Sequence, residues 1–484
     1  MSAESPSAQP PLTDSKSGSP PQKIVIVGAG FSGSSLANAL LRTSEKALEV
    51  TLIDARYPFG QGVAYSTEDE HHLLNVPAKS MSALPEDPTH FVTWLQDAHA
   101  NGNLKTAYCP NHFVPRLVYG RYLRDTLAES QRKARPGVSL RLVSDEVTDI
   151  RIEHGRASLL TKTGRWLKSK IVILALGNLP PRSFPGISKD LSRSGVFQSD
   201  PWQATVLDGI PTGAHVMILG TGLTMVDVVI GLEGRGHYGQ ISALSRRGLL
   251  PRRHLRERID TSRVSLPRDL EHARPSDLPS LVRHIRKYAQ NHEGPWQEVV
   301  DSLRGITPTL WRNLSPQDRQ RFLRRYRAFW DVHRSRIAPD VADGIVAALA
   351  RKQLQIRAGN ITSISSLNNA SAKVTWRDHN GRKTSITVGR VINATGPETN
   401  LGHTRYPLLK RLVASGAVEP DPTGLGIAVN DRGIALGNSS VPIYVLGPLR
   451  RNESYEGIAV PELRAQAWEL ASELSRRYAL TSDQ

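Results

Sequence analysis

The 484-residue sequence predicts an α/β protein made of two parallel-sheet units, one of which interrupts the other. A glycine-rich turn between an apolar run and a helical pattern occurs twice, and a similar succession of strand patterns follows each turn. A third observation is a mainly helical pattern over residues 265–350, which predicts a helical insert in the second unit.

The first glycine-rich turn follows the apolar run of residues 23–27. In such strand–turn–helix units, the first glycine allows a tight turn and the second lets the backbone approach a pyrophosphate at the helix N-terminus. The first turn is therefore predicted to hold a dinucleotide in a Rossmann-like unit. The residues assigned to its binding are Gly28, Gly30, Phe31, Ser32 and Gly33.

The second glycine-rich turn follows the apolar run of residues 215–219. The residues assigned to binding at this turn are Gly220, Gly222, Leu223 and Thr224. Met225 stands where a full fingerprint has its third glycine, so this helix is expected to pack less closely on its strand. Two such turns in one chain indicate two dinucleotides bound side by side, the arrangement in which a flavin meets a nicotinamide.

The strands that follow the two turns end in residues of different charge. Asp54 lies 26 residues after the first glycine of its turn, near the spacing at which a carboxylate caps a ribose diol. Ser245 occupies the equivalent strand end in the second unit, and Arg246 and Arg247 follow it. Guanidinium groups suit a 2′-phosphate, which an Asp would repel. The first site is predicted to bind FAD and the second NADPH, with NADH possible; the alternative for the two arginines is a solvated basic turn.

An internal repeat supports the two-unit organisation. Residues 138–177 and 354–396 both contain a strand pattern, a β-meander with a Gly-Arg turn, and a strand that ends in Gly177 or Gly396. We expect such a meander in each nucleotide-binding unit. The predicted segments are a disordered tail (1–22), the first part of an FAD-binding domain (23–210), an NAD(P)H-binding domain with its insert (211–350) and the second part of the FAD-binding domain (351–476).

Composition excludes several classes of function. The chain carries 62 Lys and Arg against 45 Asp and Glu, but the arginines are scattered and no nucleic-acid motif accompanies them, so a nucleic-acid partner is not expected. No apolar run approaches the ~20 residues that span a bilayer. The Ser/Pro/Gly-rich N-terminal segment lacks the apolar stretch of a signal peptide. A cytoplasmic protein without a membrane partner is predicted, and its oligomeric state is not indicated.

The cysteine count limits the reactions that a bound flavin could support. Cys109 is the single cysteine, whereas a flavin disulfide reductase needs a cysteine pair to pass electrons from flavin to a disulfide. No His/Cys cluster has metal-ligand spacing, so no metal site is predicted. Electrons on a bound flavin are therefore expected to go to oxygen or to a small molecule.

A distinctive segment contains Gly62-Val-Ala-Tyr-Ser-Thr67, His72-Leu-Leu-Asn-Val-Pro-Ala78 and Met81-Ser-Ala-Leu-Pro85. It closely resembles the bacterial FAD/NAD(P)-binding protein family typified by YdhS, whose domain is shared with a flavin-dependent urate hydroxylase and with the L-aspartate N-monooxygenase of nitrosuccinate biosynthesis. The resemblance covers roughly residues 23–470. Further matching segments are Gly220-Thr-Gly-Leu-Thr-Met-Val-Asp227, Leu244-Ser-Arg-Arg-Gly-Leu-Leu-Pro251, Trp330-Asp-Val-His-Arg334, Asn393-Ala-Thr-Gly-Pro397 and Ala459-Val-Pro-Glu-Leu-Arg464.

This resemblance implies an FAD-dependent, NAD(P)H-consuming monooxygenase that hydroxylates a small amine, amino acid or purine-like substrate with oxygen, through a flavin C4a-hydroperoxide. By similarity with N-hydroxylating flavin monooxygenases, the loop beneath the isoalloxazine ring lies within residues 71–95. His72, Asn75 and Pro77 are the flavin-proximal candidates, and no catalytic residue is otherwise assigned; the alternative for His72 is an ordinary loop residue. Gly447 resembles the glycine of the last flavin-binding strand.

Two other functions remain open. One is an NAD(P)H:acceptor flavin oxidoreductase without oxygen insertion, and the other is a non-catalytic, flavin-bound redox sensor. The helical insert is either a substrate lid or a structural cap. One departure from the family pattern is Tyr455, which precedes Glu456 where family members often have Trp.

Overall fold

Two five-stranded parallel sheets carry the fold in the computed structural model. The structure describes residues 21–56, 58–184, 187, 189–256, 261, 264, 266, 270 and 277–480. The predicted tail therefore lies almost entirely outside the described residues, as does most of the start of the predicted insert, residues 265–276.

The strands follow one another along the chain as β1 (Gln22–Val27), β2 (Leu48–Ile53), β3 (Val138–Val143), β4 (Val147–Glu153), β5 (Arg156–Thr161), β6 (Trp166–Ser169), β7 (Ile171–Leu174), β8 (Phe197–Gln198), β9 (Val216–Leu219), β10 (Ile241–Ser245), β11 (Leu354–Ala358), β12 (Asn360–Asn368), β13 (Ser371–Arg377), β14 (Lys383–Val388), β15 (Arg390–Asn393) and β16 (Ile443–Val445).

The α-helices of the described residues are α1 (Phe31–Thr43), α2 (Gly62–Tyr65), α3 (His90–Ala100), α4 (Arg116–Arg132), α5 (Lys189–Arg193), α6 (Leu223–Gly234), α7 (Leu278–Asn291), α8 (Trp296–Ser302), α9 (Thr307–Asn313), α10 (Pro316–Arg321), α11 (Arg327–Arg334), α12 (Pro339–Ala350), α13 (Pro407–Ala414), α14 (Arg451–Ser454) and α15 (Val460–Leu480). None of these helices is long and apolar enough to cross a membrane.

The first sheet has the strand order β16-β7-β1-β2-β3, and every pairing is parallel. Its strands are short apolar runs because both faces are covered, as parallel sheets require. Helices α1 and α15 pack on one face through a core that includes Leu36, Leu40 and Leu474. The meander β4-β5-β6 and helix α13 cover the other face.

The second sheet has the order β11-β10-β9-β15-β8 and is also parallel throughout. Helices α6 and α12 cover one face, and the meander β12-β13-β14 covers the other. Each unit is thus a parallel sheet between helices and a meander, which confirms the predicted α/β class and the predicted meander in each unit.

The strand pairings divide the chain between the two sheets at other points than the predicted segments. Those segments place β8 within residues 23–210 and β11–β15 within residues 351–476, whereas β8, β11 and β15 hydrogen-bond within the second sheet. The first sheet resumes only at β16. The strand after each meander pairs with the strand that precedes the glycine turn. In the first sheet β7 pairs with β1, and in the second sheet β15 pairs with β9.

The helical insert lies within the second unit in sequence but docks on the C-terminal segment of the first. Arg304 forms two hydrogen bonds with the carboxylate of Glu462, at 2.5 and 2.8 Å. The hydroxyl of Tyr455 donates to Asp331 at 2.9 Å, and burial raises the pKa of this tyrosine. The residue that departs from the family pattern therefore lies against the insert.

Candidate active site

The first glycine-rich turn joins β1 to α1 in a conformation that only glycine allows. Gly28 has a φ of 105°, and a Cβ at this position would lie 2.2 Å from the carbonyl oxygen of Ala175. A Cβ on Gly33 would lie 2.0 Å from the carbonyl oxygen of Gly28. Gly30 caps α1 without a side-chain hydrogen bond, and the first turn of the helix contains no acidic residue. This helix end therefore suits a pyrophosphate, because its N–H groups and dipole face no protein anion from its own first turn.

Asp54 is fixed directly beside this turn. One carboxylate oxygen accepts a hydrogen bond from the backbone N–H of Ala29 at 2.9 Å, and the other accepts from the N–H of Arg56 at 2.9 Å. Each carboxylate oxygen keeps a further lone pair. The group is therefore oriented by the backbone and can still accept hydrogen bonds from ribose hydroxyls.

The second glycine-rich turn repeats most of this geometry between β9 and α6. Gly220 has a φ of 111°, and a Cβ there would lie 2.2 Å from the carbonyl oxygen of Ala394. Gly222 caps α6, and a Cβ on it would have no neighbour within 4 Å. Met225 is completely buried in the core between the second sheet and its helices. Since this position has a side chain, α6 cannot approach its turn as closely as α1 does.

The predicted 2′-phosphate site lies just past the end of β10. The Ser245 hydroxyl accepts hydrogen bonds from the Thr221 hydroxyl at 2.9 Å and from the Gly248 N–H at 3.0 Å. Arg246 and Arg247 follow it on the surface. The guanidinium of Arg247 lies 4.7 Å from the ring centroid of Phe329 in α11, so the insert borders this site.

A cavity of about 1110 Å³ lies between the two units. Leu223 and Thr224, the first residues of α6, line it from the second unit, and Asn75 and Pro77 line it from the first. The N-terminus of the 21-residue helix α15 also opens onto it through Val460. The positive end of that helix dipole therefore faces the cavity.

The other assigned residues surround this space or the first turn. Gly396 lines the cavity, and neither it nor Gly177 has an atom within 4 Å of a would-be Cβ. A Cβ on Gly447 would lie 2.7 Å from the hydroxyl of Ser32, so the end of β16 is packed against the start of α1. Phe31, beside Ser32, is also buried.

His72 contacts the second unit. Its Nδ1 accepts a hydrogen bond from the Thr67 hydroxyl at 2.9 Å, and its Nε2 donates to the carbonyl oxygen of Asp227 in α6 at 3.0 Å. Both ring nitrogens are therefore engaged by the protein, unlike those expected of a free acid or base. Asn75 and Pro77 come from the same loop but lie at the cavity surface.

His254 is a cavity residue that sequence reasoning missed. Its Nε2 donates to the carbonyl oxygen of Asn75 at 2.9 Å, and its ring lies 5.2 Å from that of Phe113. Burial and the nearby positive charge of Arg336 lower its pKa to about 4. The imidazole is therefore neutral at pH 7 and holds the backbone of Asn75 in place.

The insert contributes arginines to the cavity wall. Arg304 and Arg334 are each paired with a glutamate, the latter with Glu456 at 2.9 Å. Arg336 is only 3% exposed and donates through Nη2 to Asp301. Its Nε and Nη1 are buried without a hydrogen-bond partner in the described part of the chain. Buried N–H donors without a partner are rare in proteins, and these two are available to a hydrogen-bond acceptor.

A buried ion pair joins the two units next to the cavity. Arg116, the first residue of α4, forms a two-point contact with the carboxylate of Asp227 at 3.0 and 3.1 Å. Their side chains are 9% and 12% exposed. The sequence contains one indication of this pair. Asp227 stands alone in an otherwise apolar stretch of helix, and a buried carboxylate needs a partner. Nothing in the sequence identified that partner as Arg116.

Comparison with known proteins agrees with this architecture. A family model described as FAD-NAD(P)-binding matches residues 25–179. No curated protein sequence matches the chain. The ornithine hydroxylase PvdA of Pseudomonas aeruginosa, in its reduced form, superimposes with a TM-score of 0.62 at 19% identity, over 94% of this chain and 99% of that one.

Two other solved structures share the fold over their whole length. The Kutzneria ornithine N-hydroxylase KtzI, solved with reduced FAD, NADP+ and L-ornithine, has a TM-score of 0.60 at 16% identity, covering 95% of this chain and 100% of its own. The L-lysine 6-monooxygenase of Pseudomonas syringae has a TM-score of 0.60 at 18% identity, with coverage of 94% and 99%. The chain therefore has the two-dinucleotide-binding-domain fold of these monooxygenases.

Proposed function

We propose that this protein is an FAD-dependent, NAD(P)H-consuming monooxygenase that acts on a small amine, amino acid or purine-like substrate. The observation that carries the proposal is the cavity between the two glycine-turn units, with the start of α6 on one side and Asn75, Pro77 and the N-terminus of α15 on the other. A flavin held by the first unit and a nicotinamide held by the second would meet there. The ornithine and lysine activities of the structures that share the fold support an amine or amino acid substrate.

FAD and NADPH, when bound, supply hydride transfer and the reductive activation of oxygen. In this proposal the chain binds and shields them. The two glycine turns hold the pyrophosphates, Asp54 holds the ribose of FAD, and Arg246 and Arg247 hold the 2′-phosphate of NADPH. Neutral His254 fixes the Asn75 backbone at the cavity, and the docked insert excludes water from one side.

The unsatisfied guanidinium of Arg336 supports a substrate with an acidic group. Arg304, Arg334 and Arg336 are each paired with a carboxylate, those of Glu462, Glu456 and Asp301. Arg336 keeps two donors beyond its bond to Asp301. A substrate carboxylate or similar oxyanion would complete this site, because charge-assisted hydrogen bonds are strongest where water is excluded.

The cofactor assignment is tested on the purified protein, which should be yellow and contain FAD. Gly30→Val would place a side chain where the pyrophosphate lies, so FAD should be lost. Gly222→Val is the matched control in the second turn and should keep FAD while weakening NADPH binding. Full FAD occupancy in Gly30→Val would contradict the assignment of the first turn.

The reaction is tested with a substrate panel of L-ornithine, L-lysine, L-aspartate and urate, measuring NADPH oxidation, hydrogen peroxide and product mass. A monooxygenase should consume NADPH in step with a product that has gained one oxygen atom. NADPH oxidation with a quinone, and stoichiometric peroxide with every panel member, would favour the acceptor oxidoreductase. Absence of catalytic NADPH oxidation would favour the redox sensor.

The role of Arg336 is tested by Arg336→Met. The KM of an acid-bearing substrate should rise about tenfold or more, since a charge-assisted contact contributes ~1.5–3 kcal/mol, while kcat changes little. The control is Arg256→Met, which removes an exposed cavity-lining arginine already paired with Asp340 at 3.0 Å. An equal rise in KM in both variants would show that Arg336 acts only through general charge.

A further inference from the structure

Helix α6 presents two glycines, Gly231 and Gly234, to the first unit. A Cβ on Gly231 would lie 3.2 Å from a carboxylate oxygen of Asp69 and 3.4 Å from Nε2 of His72. A Cβ on Gly234 would lie 3.0 Å from Nδ1 of His71. The two glycines therefore let residues 69–81, hereafter loop 69–81, lie directly on α6.

The same face of α6 carries Asp227, which is joined to loop 69–81 by polar contacts. Arg116 binds the Asp227 carboxylate with two nitrogens and donates its Nε to the carbonyl oxygen of Leu73 at 3.0 Å. The backbone N–H of Arg116 donates to the carbonyl oxygen of His72 at 2.8 Å. The ring of His72 donates back to the carbonyl oxygen of Asp227. A planar guanidinium that donates to the helix and to the loop at once fixes one relative position of the two.

This junction connects the two ends of the cavity. Asp227 lies five residues after Gly222, the residue that caps the helix end assigned to the NADPH pyrophosphate. From Leu73 the loop continues to Asn75 and Pro77 at the cavity surface. A displacement of α6 would therefore move the part of the loop that lines the cavity.

We infer that Arg116 and Asp227 are positioning residues that couple dinucleotide binding at the second glycine turn to the conformation of loop 69–81. The inference rests on the proposed function for the identity of the two nucleotides. Coupling between two sites is reciprocal, so NADP+ should order the loop and an ordered loop should strengthen NADP+ binding.

The test compares the FAD-bound wild type with the double variant Arg116→Met/Asp227→Leu, using NADP+ as the probe. Removing both charges avoids leaving one buried charge unpaired, so the fold should be retained. Hydrogen–deuterium exchange of loop 69–81 should slow on addition of NADP+ in the wild type but not in the variant. The Kd of NADP+, from the perturbed flavin spectrum, should rise about fivefold or more.

Glu233→Gln is the matched control, because it breaks the contact of Glu233 with Arg351, at 2.6 Å, on the same helix but away from the loop. It should leave the exchange of the loop and the Kd of NADP+ as in the wild type. If the double variant does not fold, Gly234→Ala serves instead, because its methyl group would lie 3.0 Å from Nδ1 of His71 and press on the loop without removing a charge.

NADP+-dependent protection that persists in the double variant, or in the glycine-to-alanine variant that replaces it, would overturn the coupling. This readout requires neither substrate nor oxygen, so it is separate from the proposed monooxygenase activity. A protein that only produces peroxide could still show the coupling, and a true monooxygenase could lack it.

Discussion

The two glycine-rich turns have nearly the same backbone but differ at the positions that select the ligand. Gly28 and Gly220 have φ angles of 105° and 111°, and a Cβ on either would lie 2.2 Å from a carbonyl oxygen of the neighbouring strand. The third glycine of the first turn is replaced by the buried Met225 in the second. Both turns thus have the backbone that a tight turn requires. The packing of the following helix and the charge at the strand end differ between the two units.

The strand ends differ in charge, and this difference underlies the proposal that the two turns bind different nucleotides. Asp54 is a carboxylate held by two backbone N–H groups, and Ser245 is a hydroxyl held by Thr221 and Gly248. A carboxylate suits a ribose diol and repels a phosphate, whereas a neutral group beside arginines admits one. In the proposed function, the comparison assigns the pyrophosphate site to the turn and the choice of dinucleotide to the strand end.

The largest effect is expected from Gly33→Ala. Its methyl group would lie 2.0 Å from the carbonyl oxygen of Gly28, so α1 must shift and FAD should be lost, with a decrease of about 3 kcal/mol or more in the free energy of unfolding. Met225→Ala, at the equivalent position, should cost a similar ~2–5 kcal/mol by creating a cavity but should keep FAD. The checks are flavin content and urea unfolding; equal FAD loss in both variants would remove the distinction between the turns.

The double variant Arg246→Ala/Arg247→Ala should raise the KM for NADPH about tenfold or more for each arginine that binds the 2′-phosphate, at ~1.5–3 kcal/mol per charge-assisted hydrogen bond. The KM for NADH should change much less, because NADH has no 2′-phosphate. The maximal rate of anaerobic flavin reduction should change little, because these arginines would bind the ground and transition states alike. A wild type that prefers NADH, or equal losses with both coenzymes, would mean that the arginines are surface charge.

Asp54→Ala should weaken FAD binding by about tenfold or more, because it removes charge-assisted hydrogen bonds of ~1.5–3 kcal/mol. The KM for NADPH should stay nearly unchanged. FAD affinity is measured by reconstitution of the apoprotein, followed by flavin fluorescence. An effect confined to NADPH would reverse the assignment of the two turns.

The smallest effect is expected from Ser245→Asp, which places a carboxylate at the second strand end. The 2′-phosphate should be repelled, so the ratio of the KM values for NADPH and NADH should rise severalfold, consistent with ~1 kcal/mol for a partly screened charge pair. Ser245→Ala is the control, because it removes the hydroxyl without adding charge. If both variants change the ratio equally, the hydroxyl rather than the charge determines coenzyme choice.

The local features of the fold could be predicted because they depend on neighbouring residues. The apolar runs that became β1, β7 and β9 are buried on both sides, and glycine spacing located both helix N-termini. The membership of each strand in its sheet could not be predicted, because pairing between β15 and β9 is decided by contacts far apart in the chain. The hydrogen bond from the His72 ring to α6 could not be predicted either, and the proximity of His72 to a flavin stays a prediction.

The sequence by itself determined that the protein has two glycine-rich strand–turn–helix units with different strand-end charges, because tight turns require glycine at short, fixed spacings. Only the tertiary structure decided which distant residues meet at the cavity. The pairing of Arg116 with Asp227, the bond from His254 to Asn75 and the unsatisfied nitrogens of Arg336 each depend on how separate elements pack. Charge and burial at such a site are properties of the whole fold, because a side chain meets its partners only when the two units pack against each other.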